Sequence, residues 1–297
     1  MSVKIGLSTY SLQQEIDSGR MTLPEVLTWM GEQGADHAEL VPFSYTLIDN
    51  QPLIDAALKA AADAGVEIAN YAILADLCQQ RDEDLKAEIA RVKAHVDVAH
   101  ALGLKSMRHD ISSFRRPISS TGILQYDKEL PRMAQAAREI ADYAATLGIT
   151  TLLENHGFFV NGTDRVIRLI DLVGRDNYRL LLDTGNVACV DEQPEIAVAK
   201  CASMAYMVHL KDFYIRAKDP GDATEFDCGG SWFRSVGGKF LRGAILGQGD
   251  LDIEAVLGAL KHSGFDGCLT IEFEGMEPCL YAAKVSLDNA RRIWQAV

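Results

Sequence analysis

Four stretches of the chain end an apolar run in residues that could do chemistry. "LLENHG" gives Glu154, Asn155 and His156; "LLLDTGN" gives Asp183 and Asn186; "MVHLKD" gives His209, Lys211 and Asp212; "LTIEFEG" gives Glu272 and Glu274. Taken singly, a carboxylate or imidazole after a buried run is ordinary loop capping. Four such stretches in succession read better as one ligand set. Glu154, Asp183, His209 and Glu272 would bring together three carboxylates and one imidazole, a group that repels itself strongly without a cation. One divalent metal ion resolves that repulsion. Oxygen-rich ligation with a single nitrogen suits Mn2+ or Mg2+, with Mn2+ the expected ion and Co2+ or Zn2+ also compatible. The lack of cysteine in the set argues against a closed structural zinc site.

Such residues meet only if the strands that carry them run side by side. Helical stretches repeatedly end in a glycine followed by a β-rich run: "EQGADHAEL", "DAGVEIANY", "ALGLKSMRH", "TLGITTLLE", "DLVGRDNYRLLLD" and "HSGFDGCLTIE". Glycine supplies the left-handed cap of a helix, and the runs after it suit strands buried on both faces. Strands are expected near residues 3–9, 37–41, 67–73, 106–110, 150–154, 179–183, 205–210 and 268–273, with amphipathic helices such as "LPEVLTWMGEQG" between them. Thr22 and Glu25 form a capping box, with Pro24 in the first turn. Eight alternations without a linker or a shift in composition predict one domain over residues 1–297, a single (β/α)8 TIM barrel. A doubly wound sheet is the alternative, weakened by the absence of a G-x-G-x-x-G after the first strand. The connection from Phe213 to Asp250, with two GG pairs, Trp232 and Phe233, is unusually long and lacks helical periodicity. It reads as a functional loop after the seventh strand, over the face where barrel enzymes place their active sites.

Composition narrows the partners. The 297 residues are 48% apolar and 24% charged, ordinary for a soluble globular protein, and the net charge of −13 makes nucleic acid a poor partner. "MSVKIGLSTY" lacks the features of a signal peptide and no apolar run approaches a membrane span, so a cytoplasmic location is expected and no membrane partner. Six scattered cysteines read as reduced thiols. A small sugar or polyol is the expected partner, slightly favoured as neutral because no clustered Arg or Lys demands a phosphate. The long loop serves as a lid or reaches a neighbouring subunit, so a homo-oligomer is compatible.

Other residues carry open alternatives. His109 in "SMRHDIS" ends the fourth strand and would serve as substrate donor or acid/base, with Arg108 pointing away from it. His156 either shares the face of Glu154 as a substrate contact or caps the strand, and Lys211 either faces the pocket or lies at the surface. Asn155 is expected to support the site without chemistry of its own.

The motifs "LLENHG", "LLLDTGN", "HLKD", "RGAILGQGDLDI" and "FDGCLTIEFEG", in this order over essentially the whole chain, resemble the xylose-isomerase-like barrels. That superfamily includes ketose 3-epimerases, inosose dehydratases, sugar-phosphate isomerase/epimerase homologues and apurinic endonucleases. The resemblance implies that Glu154, Asp183, His209 and Glu272 bind one divalent metal, and that Glu154 and Glu272 flank the substrate and move its protons. It also implies that Arg242 contacts substrate hydroxyls, while Gly247 and Gly249 shape the loop. The implied activity is metal-dependent isomerisation or epimerisation of a ketose or keto-sugar through an enediolate, with dehydration of an inosose or 3-keto-sugar as the alternative. Asn186 stands where the epimerases carry a histidine three residues after the aspartate. It can hydrogen-bond a substrate hydroxyl but cannot exchange a proton near neutral pH. The same departure, with the negative net charge, argues against the endonucleases.

Overall fold

The computed structural model describes residues 3–224 and 230–297, and Cys228 lies outside them. Seven strands follow one another: β1 (Lys4–Ser8), β2 (His37–Leu40), β3 (Glu67–Ile73), β4 (Ser106–His109), β5 (Thr150–Glu154), β6 (Tyr178–Asp183) and β7 (Ala205–Leu210). A separate antiparallel sheet of β8 (Asp212–Arg216), β9 (Phe233–Arg234) and β10 (Phe240–Ala244) comes next, and β11 (Cys268–Ile271) then closes the barrel between β7 and β1. All eight barrel pairings are parallel, which makes this a (β/α)8 TIM barrel. Its helices are α1 (Gln13–Asp17), α2 (Leu23–Glu32), α3 (Gln51–Ala64), α4 (Asp82–Ala101), α5 (Ile123–Thr146), α6 (Thr163–Val173), α7 (Pro194–Cys201), α8 (Ile253–His262) and α9 (Cys279–Ala296).

Local chemistry sets the element ends. The capping box forms at α2, where the Glu25 carboxylate accepts the backbone N–H of Thr22 at 2.7 Å. Gly65 ends α3 at φ +68°, and its N–H returns to the carbonyls of Ala61 and Ala62. Only a residue without a Cβ takes that conformation at no steric cost. Glycines at all six joints noted in the sequence share the positive φ. Cys78, Cys201, Cys268 and Cys279 are free thiols. Among the described residues no helix is long and apolar enough to cross a membrane.

Strand phase positions the site. Leu152, Leu181 and Met207 pack together inside the barrel. Each lies two residues before Glu154, Asp183 or His209, so strand alternation turns those three polar side chains to the same inner face, one layer nearer the strand ends. Asp183 is level with His209 in the β6–β7 register, and Thr270, two residues before Glu272, is level with His209 across β7 and β11.

The small sheet departs from the structureless loop expected after the seventh strand. Phe213, Phe233 and Leu241 are buried on its inner face, with Ile215 partly so, while Tyr214 and Arg216 alternate outward. The Phe213 and Phe233 rings meet edge to face at 5.7 Å. Such a pair contributes ~0.5–1.5 kcal/mol beyond its buried area. A carboxylate fixes the return of the chain: Asp212 Oδ2 accepts the N–H groups of Gly247 and Gly249, each at 2.9 Å.

Candidate metal centre and active site

Glu154, Asp183, His209 and Glu272 converge at the C-terminal ends of β5, β6, β7 and β11. Each offers one ligand-type atom, and these atoms lie within 4.8 Å of one another. His209 Nδ1 is at the middle, 3.4 Å from Glu154 Oε1, 3.5 Å from Glu272 Oε2 and 4.0 Å from Asp183 Oδ2. It makes no hydrogen bond although it is fully buried. Asp183 Oδ2 likewise accepts none; its nearest cation is the Lys211 ammonium at 3.2 Å. Asp183 Oδ1 is occupied by the turn of "DTGN", accepting the N–H groups of Gly185 and Asn186 at 2.8 and 2.7 Å. A buried imidazole nitrogen and a buried carboxylate oxygen, each left without a hydrogen bond and facing two more carboxylates, fit a divalent ion with oxygen-rich ligation.

A residue not expected from the sequence orients the imidazole. Glu39 on β2, fully buried, places Oε1 3.0 Å and Oε2 3.1 Å from His209 Nε2. Asn70 Nδ2 donates to Glu39 Oε2 at 2.7 Å, and Ser106 Oγ donates to Asn70 Oδ1 at 2.8 Å. A carboxylate that accepts a hydrogen bond from Nε2–H leaves Nδ1 available to a cation.

The charges reinforce one another. Burial opposes ionisation of Glu154 and Glu272, yet Arg108 and His209 beside the first, and His209 and Lys211 beside the second, hold both carboxyls below the usual range. Burial pushes Asp183 the other way, only partly offset by Lys211. For His209, burial is outweighed by Glu272 and Glu39, so the ring is held protonated well above its ordinary range when no cation is bound.

Arg108 and His109 exchange the places expected for them. In the β4–β5 register Arg108 is level with the inward-facing Leu152, and His109 with Leu153, which packs toward the helices. The His109 ring therefore lies against Tyr178, with Nδ1 2.9 Å from the Asp110 carbonyl, outside the cleft. The side chain in the site is Arg108, which pairs with Glu154 Oε2 and lies 3.0 Å from Asp110 Oδ1. Asn186 and Lys211 do face inward: Asn186 Nδ2 donates to Glu154 Oε1 at 3.1 Å, and its Oδ1 accepts from Lys211 Nζ at 3.2 Å. Lys211 is buried, 3.1 Å from Glu272 and 3.5 Å from Glu274. Burial drives the Glu274 carboxyl up to about 7, more than Lys211 lowers it. Asn155 bridges the strands, exchanging two 2.8 Å hydrogen bonds with the backbone of Asp183.

A cleft of about 270 Å³ reaches the quartet at Glu272. Arg108, His156, Lys211, Glu272 and Glu274 line it together with Tyr10, Phe43 and Phe114. His156 stacks on Phe114 and puts Nδ1 3.1 Å from Asp110 Oδ2. Burial would lower its pKa, but Asp110 and Glu154 raise it. Arg242 is not part of this lining; its guanidinium lies over the Tyr214 and Trp232 rings on the outer face of the small sheet, 5.0 and 5.1 Å from their centroids.

Known proteins are similar to this chain in sequence or in fold. An inosose dehydratase of Lacticaseibacillus casei is 26% identical over 285 residues, covering 89% of this chain and 91% of the relative. The 3-keto-D-glucoside 4-epimerase of E. coli superposes with a TM-score of 0.69 at 16% identity, over 98% of this chain and 100% of that one. A xylose isomerase-like barrel protein of Mycobacterium smegmatis in complex with magnesium does so with a TM-score of 0.66 at 19% identity, over 92% and 87%. At these identities the two structures speak for the fold alone. The family described as xylose isomerase-like TIM barrel matches residues 27–295, and the chain belongs to that family.

Proposed function

We propose that the chain is a divalent-metal-dependent isomerase or epimerase of a ketose or keto-sugar, with Glu154, Asp183, His209 and Glu272 as ligands and Glu154 and Glu272 as the acid/base pair. The observation that carries this reading is His209 Nδ1, buried without a hydrogen bond among three carboxylates, one of which, Glu272, lines an open cleft. When bound, a divalent ion would draw electrons from a carbonyl and an adjacent hydroxyl, making the C–H between them acidic and stabilising the charge that develops. The protein's own groups handle the proton. Glu154 and Glu272 stand on strands three steps apart in the barrel and approach a central substrate from different sides. Both are held ionised, so Glu154 can take the proton, and Glu272 returns to the opposite face one that it draws from the Lys211 ammonium 3.1 Å away. Asn186, Lys211 and His156 supply hydrogen bonds to substrate hydroxyls.

A specific observation favours a second reading, dehydration of an inosose or 3-keto-sugar through the same enediolate. Glu274, its carboxyl near 7, and the Lys211 ammonium form a proton-bearing pair beside Glu272, placed to protonate a departing hydroxyl. The relative named as an inosose dehydratase supports the same reading. Incubating the Mn2+-loaded protein in D2O with ketoses, inososes and 3-keto-glycosides separates the two. Deuterium uptake with an unchanged skeleton is the result expected of an epimerase, and loss of water that of a dehydratase. Neither exchange nor loss of water with any member of the panel would refute both.

A further inference from the structure

Beside the quartet lies a second group of ligand-type atoms. Asp110, Glu154 and His156 each offer one, again within 4.8 Å of one another. Glu154 belongs to both groups, turning Oε1 toward His209 and Oε2 toward Arg108. Arg108 Nη2 occupies the centre of the trio: it pairs with Glu154 Oε2 and lies 3.0 Å from Asp110 Oδ1 and 3.2 Å from His156 Nδ1. The guanidinium is held from behind, with Nη1 donating to the Ile73 carbonyl at 3.1 Å. The Asp110 and Glu154 side chains are only 2% and 1% exposed, so removing this cation would leave two buried carboxylates facing each other with only the imidazoles of His156 and His209 beside them.

We propose that Arg108 is a tethered substitute for a second metal ion. The centre then takes one ion, in the quartet, and Glu154 joins that position to the guanidinium. This inference rests on the metal reading of the quartet. Its chemical consequence is a restriction. A second metal beside the first would clamp the attacking and leaving groups of a displacement and activate a water. A guanidinium stays protonated and can only hold charge and donate hydrogen bonds. Arg108 thus supplies fixed charge and hydrogen bonds where a second ion would activate a water, and acts as a positioning residue for Glu154.

The test counts metal. Protein stripped with a chelator and reloaded with Mn2+ is measured by elemental analysis and by electron paramagnetic resonance, in which a close manganese pair shows exchange coupling. Wild type should hold one Mn2+ per chain with an uncoupled signal, and Arg108→Lys should do the same. Arg108→Ala, expressed with Mn2+ so that the missing charge is supplied during folding, should hold two with a coupled signal. Adding Asp110→Asn to it should return the count to one. Two ions in wild type would overturn the proposal, and so would one ion in folded Arg108→Ala. Failure of Arg108→Ala to fold even with Mn2+ would overturn it as well, because the ion would then not replace the guanidinium. Wild type that binds no Mn2+ would instead refute the quartet reading itself, an outcome distinguishable from the others.

Discussion

Glu39 provides a direct test of how the candidate metal centre is organised, because it touches His209 from behind and is not itself part of the cleft lining. Replacing it with alanine removes the Oε2 acceptor 3.1 Å from His209 Nε2 and leaves the Asn70 amide without its 2.7 Å partner. A buried hydrogen bond to a charged group contributes about 1.5–3 kcal/mol. Loss of the carboxylate behind a ligating histidine typically lowers metal affinity about 10–100-fold, or about 1.4–2.7 kcal/mol at 1.36 kcal/mol per decade. The two estimates overlap, so Glu39→Ala should weaken Mn2+ binding by about one to two decades.

Glu39→Gln keeps the volume and an oxygen acceptor, and should lose about tenfold or less. Asn70→Ala loosens Glu39 at one remove and should cost less again. Competition with a chelator at fixed pH measures all three, and circular dichroism of the metal-free proteins shows whether the barrel persists. Folded Glu39→Ala that binds Mn2+ within about twofold of wild type would refute the reasoning. His209 would then owe its ligating geometry to the rigidity of β7 alone.

Glu154→Gln and Glu272→Gln should each lower turnover by at least about 10²-fold on whichever substrate exchanges deuterium, and full activity in either would rule out a two-glutamate mechanism. Binding of the metal must displace the proton that Glu272 and Glu39 hold on His209. Affinity should therefore rise with pH while the ring is protonated in the metal-free protein, with release of about one proton per ion. Calorimetry in buffers of different ionisation enthalpy measures that proton, and binding that releases none would refute the assignment. Chelation should lower thermal stability: Mn2+ at 100 times its Kd adds about 2.7 kcal/mol, a Tm difference of several degrees readable by differential scanning fluorimetry. Gly249→Ala would set a Cβ 2.2 Å from Asp212 Oδ1 and 2.7 Å from the Phe213 carbonyl, and should cost ~1–3 kcal/mol in urea unfolding.

What was legible in the sequence, and what was not, divides along a physical line. Glu154, Asp183, His209 and Glu272 stand out because each ends an apolar run, and the topology of a parallel barrel brings strand ends together without further information. The phase of a strand is different. β4 is four residues long and buried on both faces, so "SMRH" holds no polar alternation that says which side faces the barrel axis. Only the pairing of Arg108 with Leu152 and of His109 with Leu153 decides it, and that exchanges the site residue for its neighbour. Glu39 is hidden for a related reason. In "HAEL" a fully buried glutamate looks unfavourable until its partners are known, and these lie 31 residues away at Asn70 and 170 away at His209. The small sheet of β8, β9 and β10 escaped notice because two of its strands flank a glycine-rich segment, and β9 is only two residues long. The ligands of such a centre follow from local pattern, whereas the groups that orient and charge them follow from register. Register is a property of pairs of strands and cannot be read from either strand alone.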